Sequence, residues 1–385
     1  MFVDVDYAQE KKYNQNAYGD YFVSKRYPDV GRLIAVLSDG LGSGIKANIL
    51  ASMTATMLLK FIEEEVDIKK SCEIVMNSLP VCQVRKISYS TFSAMHCTDD
   101  GKVKIVEEGN PQFLWIRNNQ VMEPECDIVT SKTFSNRHMH LYRIQLQEGD
   151  RLIFCSDGVT QAALGSKTLK FGLRREGLIK LVLDKLEKNP EISSRDLSKY
   201  VVRQAILVEP DKKPKDDVSC FCVYFRHPRE SLIFTGPPYH PDKDNYYANV
   251  FKNFEGKKAL CGGTTASLIS RELSIPIRVD MSLNIGKLPA ISYMDGVDLV
   301  TEGILTLTKV LDDLEKGTFE DDAAGKLIEF MLDSDCINFM VGAKINQAHY
   351  DPNMPIEIEI RKNIIKKIEK VLSTRYMKKV TVKYM

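Results

Sequence analysis

The 385-residue sequence lacks the features that mark several common classes of protein. It holds nine cysteines, but no two are spaced as CxxC, which disfavours a zinc site of that type. Its formal net charge is +1, and neither the part before residue 230 nor the part after it carries the basic excess of a nucleic-acid-binding protein. No apolar run approaches the roughly 18 residues that span a membrane, and the N-terminus does not resemble a signal peptide. We therefore expect a cytoplasmic protein with reduced thiols that binds neither nucleic acid nor membrane.

The first 230 residues combine strand-like runs and helical stretches in the irregular order of an α+β protein. The continuous apolar run "RLIAVLSDG" (32–40) predicts a strand buried on both faces, and the long segment that follows it, 44–65, predicts a largely buried helix. Further strands are predicted at 89–97, 102–109, 111–119 and 216–226, a strand–turn–strand–turn–helix segment at 142–162, and helices at about 171–188 and 194–207.

The remainder of the chain shows a different pattern. Pro-rich, polar stretches at 226–230 and 235–245 predict a domain boundary. We accordingly expect a first domain at 1–230, a linker at 231–245 and a second domain at 246–385. Strand, turn and helix alternate in this second domain, which predicts a smaller α/β fold with a partly parallel sheet. Its last segment, 355–385, is interpreted as strand, helix and strand.

Acidic residues recur at the edges of the predicted strands of the first domain. They are Asp20, Asp39, Asp157 and the pair Asp216 and Asp217, and two of them share the arrangement apolar strand, Ser-Asp-Gly, apolar residue. Buried carboxylates cost desolvation energy, and converging carboxylates repel one another. A bound divalent cation removes both problems, and an oxygen-only ligand set suits Mg²⁺ or Mn²⁺.

The order and spacing of these motifs resemble the metal-dependent protein phosphatases (PPM, or type 2C), in the branch typified by SpoIIE. The resemblance covers about residues 14–226 and rests on "GD" near the start, "DGLGSG" before a long helix, "EGNPQFLWIR", "GDRLIFCSDGVTQA" and "DDVSCFCV". It implies an αββα sandwich, in which two stacked antiparallel sheets are flanked by helices. It also implies hydrolysis of phosphoserine or phosphothreonine by a water that two metal ions activate.

The resemblance assigns roles residue by residue. Asp39 should bridge two Mn²⁺ or Mg²⁺ ions, with the carbonyl of Gly40 as a ligand of one, and Asp157 and Asp216 should complete the other site. Asp20 falls near the metals. The catalytic set is therefore Asp39, Asp157 and Asp216, while the neighbouring Asp217 is expected to orient its surroundings. The motif around Gly109 and Pro111 is expected to shape a turn.

Some positions depart from the family or leave alternatives open. Leu41 stands where eukaryotic members carry a histidine, although the SpoIIE branch also has an apolar residue there. Lys25, Arg26 and Lys46 are candidate phosphate contacts or, more simply, solvated surface. The helix at about 44–64 is either a regulatory element, as in this branch, or a core helix. The pair His138-x-His140 is interpreted as part of a solvated loop rather than as a metal site.

The second domain carries no recognised family pattern. Its glycine turn "LCGGTTAS" (260–267) lacks the GxxxxGK[ST] and GxGxxG phosphate loops, yet with the acidic turn "MDGVDLVTEG" (294–303) it could form a ligand crevice. The expected partner is a phosphorylated signalling protein, for example of the anti-sigma-antagonist kind, and a homodimer is left open. The rival function is a signalling sensor or scaffold with a weakly active phosphatase fold and a small phosphorylated ligand or nucleotide in this domain.

Overall fold

The computed structural model describes residues 1–64, 66–78, 90–130, 138–279, 291–342 and 354–385. The chain divides into two units after His227, the first spanning Met1–His227 and the second Pro228–Met385.

The first unit contains eleven strands and five α-helices within the described residues. The strands are β1 (Phe2–Glu10), β2 (Asp20–Tyr27), β3 (Arg32–Gly40), β4 (Ser90–Thr98), β5 (Lys102–Glu108), β6 (Leu114–Arg117), β7 (Gln120–Met122), β8 (Cys126–Thr130), β9 (His138–Gln145), β10 (Arg151–Cys155) and β11 (Val218–Arg226). The helices are α1 (Gly44–Glu63), α2 (Ile68–Ser78), α3 (Asp157–Thr160), α4 (Arg174–Lys188) and α5 (Ser194–Val208).

These strands form two antiparallel sheets, each covered on one face by helices. One sheet has the order β2-β3-β4-β5-β9-β8, and α1 and α2 bury their apolar side chains against it. The other has the order β1-β11-β10-β6-β7 and is covered by α4 and α5. The continuous apolar run of β3 is explained by this arrangement, since a strand in the middle of a layered fold is buried on both faces.

Aromatic side chains fill the space between the two sheets. Phe22 of β2 packs on Tyr7 and Phe221 of the other sheet, with ring centroids 4.5 and 5.0 Å apart. Phe221 in turn stacks on Phe154 at 4.3 Å with an interplanar angle of 2°. Contacts across both inner faces, with helices on both outer faces, give four layers. The predicted αββα sandwich is confirmed.

Helix α1 is long and apolar enough, by length and composition alone, to cross a membrane, with 20 residues and a mean hydropathy of 1.3. The sequence expectation that no segment is long and apolar enough to span a membrane was therefore wrong for α1. Within the first unit, however, its Ala55, Leu58 and Ile62 are buried against the six-stranded sheet. This is the packing of a core helix, as one of the two sequence interpretations held.

The second unit is a doubly wound α/β domain. Its strands are β12 (Glu230–Thr235), β13 (Lys257–Cys261), β14 (Ile277–Val279), β15 (Ser292–Met294), β16 (Val297–Thr301), β17 (Cys336–Val341) and β18 (Lys379–Tyr384). Its helices are α6 (Asp244–Asn253), α7 (Gly263–Leu273), α8 (Ile304–Lys316), α9 (Ala323–Leu332) and α10 (Met354–Arg375). The sheet order is β14-β15-β16-β13-β12-β17-β18, and the five strands from β16 to β18 in this order are mutually parallel. Helices α8, α9 and α10 cover one face, and α6 and α7 cover the other.

Two sequence expectations in this region were wrong. The stretch 231–245 is not a linker, because β12 lies at the centre of the second sheet, paired with both β13 and β17. The short apolar run of β12 was not recognised as a strand because Pro-rich residues lie on both sides of it. The segment "PIEIEI" (355–360) was expected to be a strand from its alternation, but it belongs to α10, whose later residues Ile364, Ile365 and Ile368 recur at helical spacing and are buried.

The stacked pair of Phe154 and Phe221 supports a prediction about stability. Phe221→Ala leaves a cavity between the sheets and is expected to lower the free energy of unfolding of the first unit by about 3–5 kcal/mol. Urea denaturation followed by fluorescence and circular dichroism would measure this loss. Phe171→Ala is the matched control, since that side chain is 61% exposed. A loss for Phe221→Ala no larger than for the control would contradict the proposed packing role.

Candidate functional site

Asp20 and Asp39 lie side by side on neighbouring strands. Asp20 is the first residue of β2 and is paired in register with Asp39, the penultimate residue of β3. The preceding Ser38 fixes this strand end, because its hydroxyl contacts the hydroxyl of Ser90 at 2.6 Å and donates to the carbonyl of Thr91 at 2.9 Å. The first Ser-Asp-Gly sequence thus anchors β3 to β4 and presents the carboxylate at the end of the sheet.

The second Ser-Asp-Gly sequence repeats this arrangement on the other sheet. Ser156 follows β10, and its hydroxyl accepts from the backbone amide of Ser219 in β11 at 3.1 Å. Asp157 then begins α3, while Asp216 immediately precedes β11 and is exposed. Because β10 and β11 are antiparallel neighbours, these two carboxylates lie at the same end of the five-stranded sheet.

The four aspartates influence one another electrostatically. The pKa of Asp39 is raised well above its ordinary value, first by burial and then by the charges of Asp20, Asp157 and Asp216. Burial also raises the pKa of Asp20 to about 7, although the hydroxyls of Ser219 and Ser156 act in the opposite direction. The structure therefore brings together all four of the aspartates predicted as metal ligands, two from each sheet.

Asp20 is the most deeply buried of these carboxylates. It is 2% exposed, and neither of its carboxylate oxygens makes a hydrogen bond of normal geometry. A buried carboxylate without such partners is unfavourable unless a cation lies nearby.

Two glycines allow the backbone to approach closely at this site. A Cβ atom on Gly40 would lie 2.1 Å from the carbonyl oxygen of Ala47, and one on Gly158 would lie 2.0 Å from that of Asp217. Both contacts are with backbone and cannot relax easily. The Asp-Gly pairs are therefore required by packing, in addition to any role of the Gly40 carbonyl as a ligand.

Asp217 organises the chain that leads to Asp20. It is 3% exposed, and its carboxylate accepts a hydrogen bond from the backbone amide of Lys12 at 3.3 Å. The backbone of Gly19 also donates to it, and this contact opposes the rise in pKa that burial produces. These contacts match the expectation that Asp217 orients its neighbours.

The donor set suits a hard divalent cation. It consists of carboxylates and a backbone carbonyl, includes an orphaned buried carboxylate, and carries mutual repulsion that a cation would relieve. Within the described residues, however, no group of three or more carboxylate, imidazole or thiol side chains is arranged closely enough to hold an ion as it stands. The residues fit the expected ions in chemistry, and a bound cation would have to draw the carboxylates closer together.

Other candidate residues lie in different surroundings. Lys25 forms an ion pair with Glu63, and Arg26 donates to the carbonyl of Val3, so neither is directed at the aspartates. Lys46 is exposed in the first turn of α1. His138 begins strand β9 and does not lie in a loop as expected; its ring contacts the hydroxyl of Thr130 at 3.2 Å.

The sequence interpretation missed two contacts around the site. Gln161 donates through Nε2 to Asp157 at 2.9 Å, and the spacing of four residues across a helical turn was the available signal. Arg175 donates to the carbonyls of Gln112 and Phe113 at 2.7 and 3.0 Å, holding the "EGNPQF" turn against α4. No local sequence pattern predicts the contact of Arg175, because its partners are backbone carbonyls distant in sequence.

Comparison with known families decides the classification of the first unit. The family model described as Stage II sporulation protein E (SpoIIE) matches residues 29–226, just over half of the chain. The chain belongs to the SpoIIE family. A relative within it, Stage II sporulation protein E of Bacillus subtilis (strain 168), is 27% identical over 126 residues, which are 32% of this chain and 15% of that protein. The match thus spans only a small part of that relative's length.

Solved structures similar to this SpoIIE-family chain include phosphatase domains. One contains the PP2C phosphatase domain and a fragment of the regulatory domain of SpoIIE from Bacillus subtilis, at 19% identity and a TM-score of 0.48, covering 58% of this chain and 63% of that one. Another is the serine/threonine phosphatase of S. agalactiae, at 16% identity and a TM-score of 0.42, covering 58% and 99%. With TM-scores below 0.5, these likenesses carry no weight, and the classification rests on the family match.

Glu107, near the end of strand β5, gives a pH-dependent prediction. It is 2% exposed and accepts from Ser93 Oγ at 3.1 Å and from the Phe113 amide at 3.3 Å, while burial raises its pKa to about 8. A raised pKa in the folded state means that stability is fully present below the ordinary glutamate pKa and is lost as pH rises through about 8.

Glu107→Gln removes this titration. Between pH 5 and pH 9 the variant is expected to lose about 1–3 kcal/mol less unfolding free energy than the unmodified protein. Urea denaturation at several pH values would measure the difference. Glu187→Gln, at an exposed position of α4, should follow the unmodified protein. Identical pH profiles for all three proteins would show that Glu107 is not buried as a neutral acid.

Proposed function

We propose that the first unit is a metal-dependent phosphatase that hydrolyses phosphoserine or phosphothreonine on a signalling protein. The observation that carries this proposal is the convergence of Asp20, Asp39, Asp157 and Asp216 from the ends of two sheets. Membership of the SpoIIE family supports the same chemistry.

Each residue has a distinct part in this proposal. Asp39 would bridge two Mn²⁺ or Mg²⁺ ions, Asp20 and the Gly40 carbonyl would complete one site, and Asp157 and Asp216 the other. Ions held there would supply an activated water and would offset the charge of the phosphate oxygens. Gln161 holds one oxygen of Asp157 at 2.9 Å and so orients the carboxylate.

The proposed substrate is a phosphorylated protein of the anti-sigma-antagonist kind, as the family resemblance implies. We also propose a cytoplasmic location, because eight free cysteines lie within the described residues, six of them buried. Thiols in this state suit a reducing compartment.

Metal binding and turnover can be tested together in the full chain. Mn²⁺ is expected to raise the melting temperature of EDTA-treated protein and to switch on hydrolysis of a phosphoserine peptide. Asp39→Asn should abolish both effects. It should also raise the melting temperature of the metal-free protein, because it removes the carboxylate whose ionisation burial and the charges of Asp20, Asp157 and Asp216 disfavour. Differential scanning fluorimetry and a phosphate-release assay provide the two readouts.

The matched control changes an aspartate outside the site. Asp127→Asn alters an exposed residue whose ion pair is with Arg143, and it should retain metal stabilisation and turnover. Hydrolysis that persists in Asp39→Asn would refute the assigned metal site. Metal stabilisation without hydrolysis of any phosphopeptide would favour the sensor or scaffold.

The second unit supports an additional function as a ligand sensor. Its parallel strands follow the order β16-β13-β12-β17-β18, so the chain reverses direction across the sheet at β12. Doubly wound sheets bind nucleotides outside the carboxyl ends of their strands at such a point. Four glycines follow the ends of four adjacent strands here, namely Gly236, Gly262, Gly303 and Gly342.

A basic residue lies at the same reversal point. A Cβ atom on Gly236 would lie 2.5 Å from Arg361 Nη1, so the guanidinium of α10 sits beside the end of β12. We propose a small phosphorylated ligand or nucleotide as the occupant, by analogy with other sheets of this order.

A thermal-shift series tests the sensor in the full chain. ATP, ADP, NAD⁺ and inorganic phosphate are the probes, and at least one is expected to raise the melting temperature of the second unit. Arg361→Gln should weaken the shift, while Lys366→Gln, an exposed residue of the same helix, should not. A melting temperature unchanged by every probe would count against this function.

A further inference from the structure

A shallow cleft of about 480 Å³ opens in the first unit beside the aspartates. Its walls include Gln161, Phe171, Arg174, Arg175 and one carboxylate, Glu176, none of which is among the proposed metal ligands. The cleft therefore offers contacts beyond those that the phosphate itself would use.

Gln161 connects the cleft to the reaction site. Its side chain lines the cleft and also donates to the carboxylate of Asp157 at 2.9 Å. A peptide whose phosphate lies at the aspartates would consequently place its neighbouring residues in this cleft.

The loop that carries Phe171 packs closely against the end of helix α3 and the residues that follow it. Gly172 has φ +75°, and a Cβ atom there would lie 3.0 Å from the carbonyl oxygen of Thr160. The amide of Leu173 donates to the carbonyl of Ala162 at 3.0 Å. Phe171 is nevertheless 61% exposed, so the loop presents an aromatic ring at the cleft.

The two arginines of the cleft differ in what they contact. Arg175 is engaged by the carbonyls of Gln112 and Phe113 and forms part of the wall. Arg174 is exposed and stacks over the ring of Phe171, at 4.6 Å from the centroid. In the described part of the chain, no carboxylate pairs with Arg174 and no acceptor takes a hydrogen bond from it.

An arginine stacked on an aromatic ring keeps the edge of its guanidinium available. Stacking uses the face of the group, whereas the N–H donors around its edge match the two oxygens of a carboxylate. The ring also limits the conformations of the side chain, so less entropy is lost when an anion binds.

We propose that this cleft binds an acidic side chain close in sequence to the phosphorylated residue of the substrate. Arg174 pairs with the carboxylate, and Phe171 packs against the adjoining part of the peptide. The proposal rests on the phosphatase function above and adds a sequence preference to it: acidic residues beside the phosphoserine favour recognition.

Two phosphoserine peptides test this preference with the Mn²⁺-loaded full chain. They are identical except that the positions flanking the phosphoserine carry Glu in one and Gln in the other. The unmodified protein is expected to favour the Glu peptide about two- to fivefold in kcat/KM, because an ion pair at an exposed arginine contributes up to about 1 kcal/mol. Arg174→Gln should remove this preference, and Lys180→Gln, an exposed residue of the same helix, should retain it.

Binding of fluorescent versions of both peptides, measured by anisotropy, gives the same comparison without turnover. A preference seen in binding but no hydrolysis would uphold the cleft and refute the phosphatase function. No preference in the unmodified protein, or one that persists in Arg174→Gln, would overturn the proposal. An equal loss for both peptides in Arg174→Gln would place this arginine on the phosphate and would also overturn it.

Discussion

Four carboxylates gathered at the ends of two sheets, three of them wholly or partly buried, are the constraint around which the first unit is organised. Burial disfavours the ionised forms of Asp20, Asp39 and Asp157, and the charges of the other three aspartates also disfavour ionisation of Asp39. The fold nevertheless collects Asp20 and Asp39 from one sheet and Asp157 and Asp216 from the other. The proposed bound cation would compensate for this cost.

The core and the site depend on the same strands. Phe22 lies two residues after Asp20 in β2, and Phe154 lies three residues before Asp157. These rings belong to the aromatic packing between the sheets, in which Phe221 takes part. The separation of the sheets therefore also fixes the distance between the two pairs of aspartates. A change in the aromatic packing would consequently move the carboxylates relative to one another.

Much of this site could be predicted because its signals are local. A buried strand followed by Ser-Asp-Gly appears twice. In both copies the serine, Ser38 or Ser156, makes a hydrogen bond to the neighbouring strand. The contact of Arg175 with two backbone carbonyls could not be predicted, since any residue type supplies a carbonyl. The segment 355–360 alternates like a strand, but the longer helical pattern that follows it determines its conformation. Strand β12 was obscured by the prolines around it.

Strands β1 and β11 pair along their full length, from Phe2 opposite Arg226 to Glu10 opposite Val218. The first strand of this unit to be synthesised therefore has as its partner the last strand of the unit. Such distant pairing is slow, and until it forms, β1 is an unprotected sheet edge. Asp216 and Asp217 immediately precede β11, so the acidic site is completed in the same late step. A growing chain consequently carries no assembled site until the first unit has been synthesised in full.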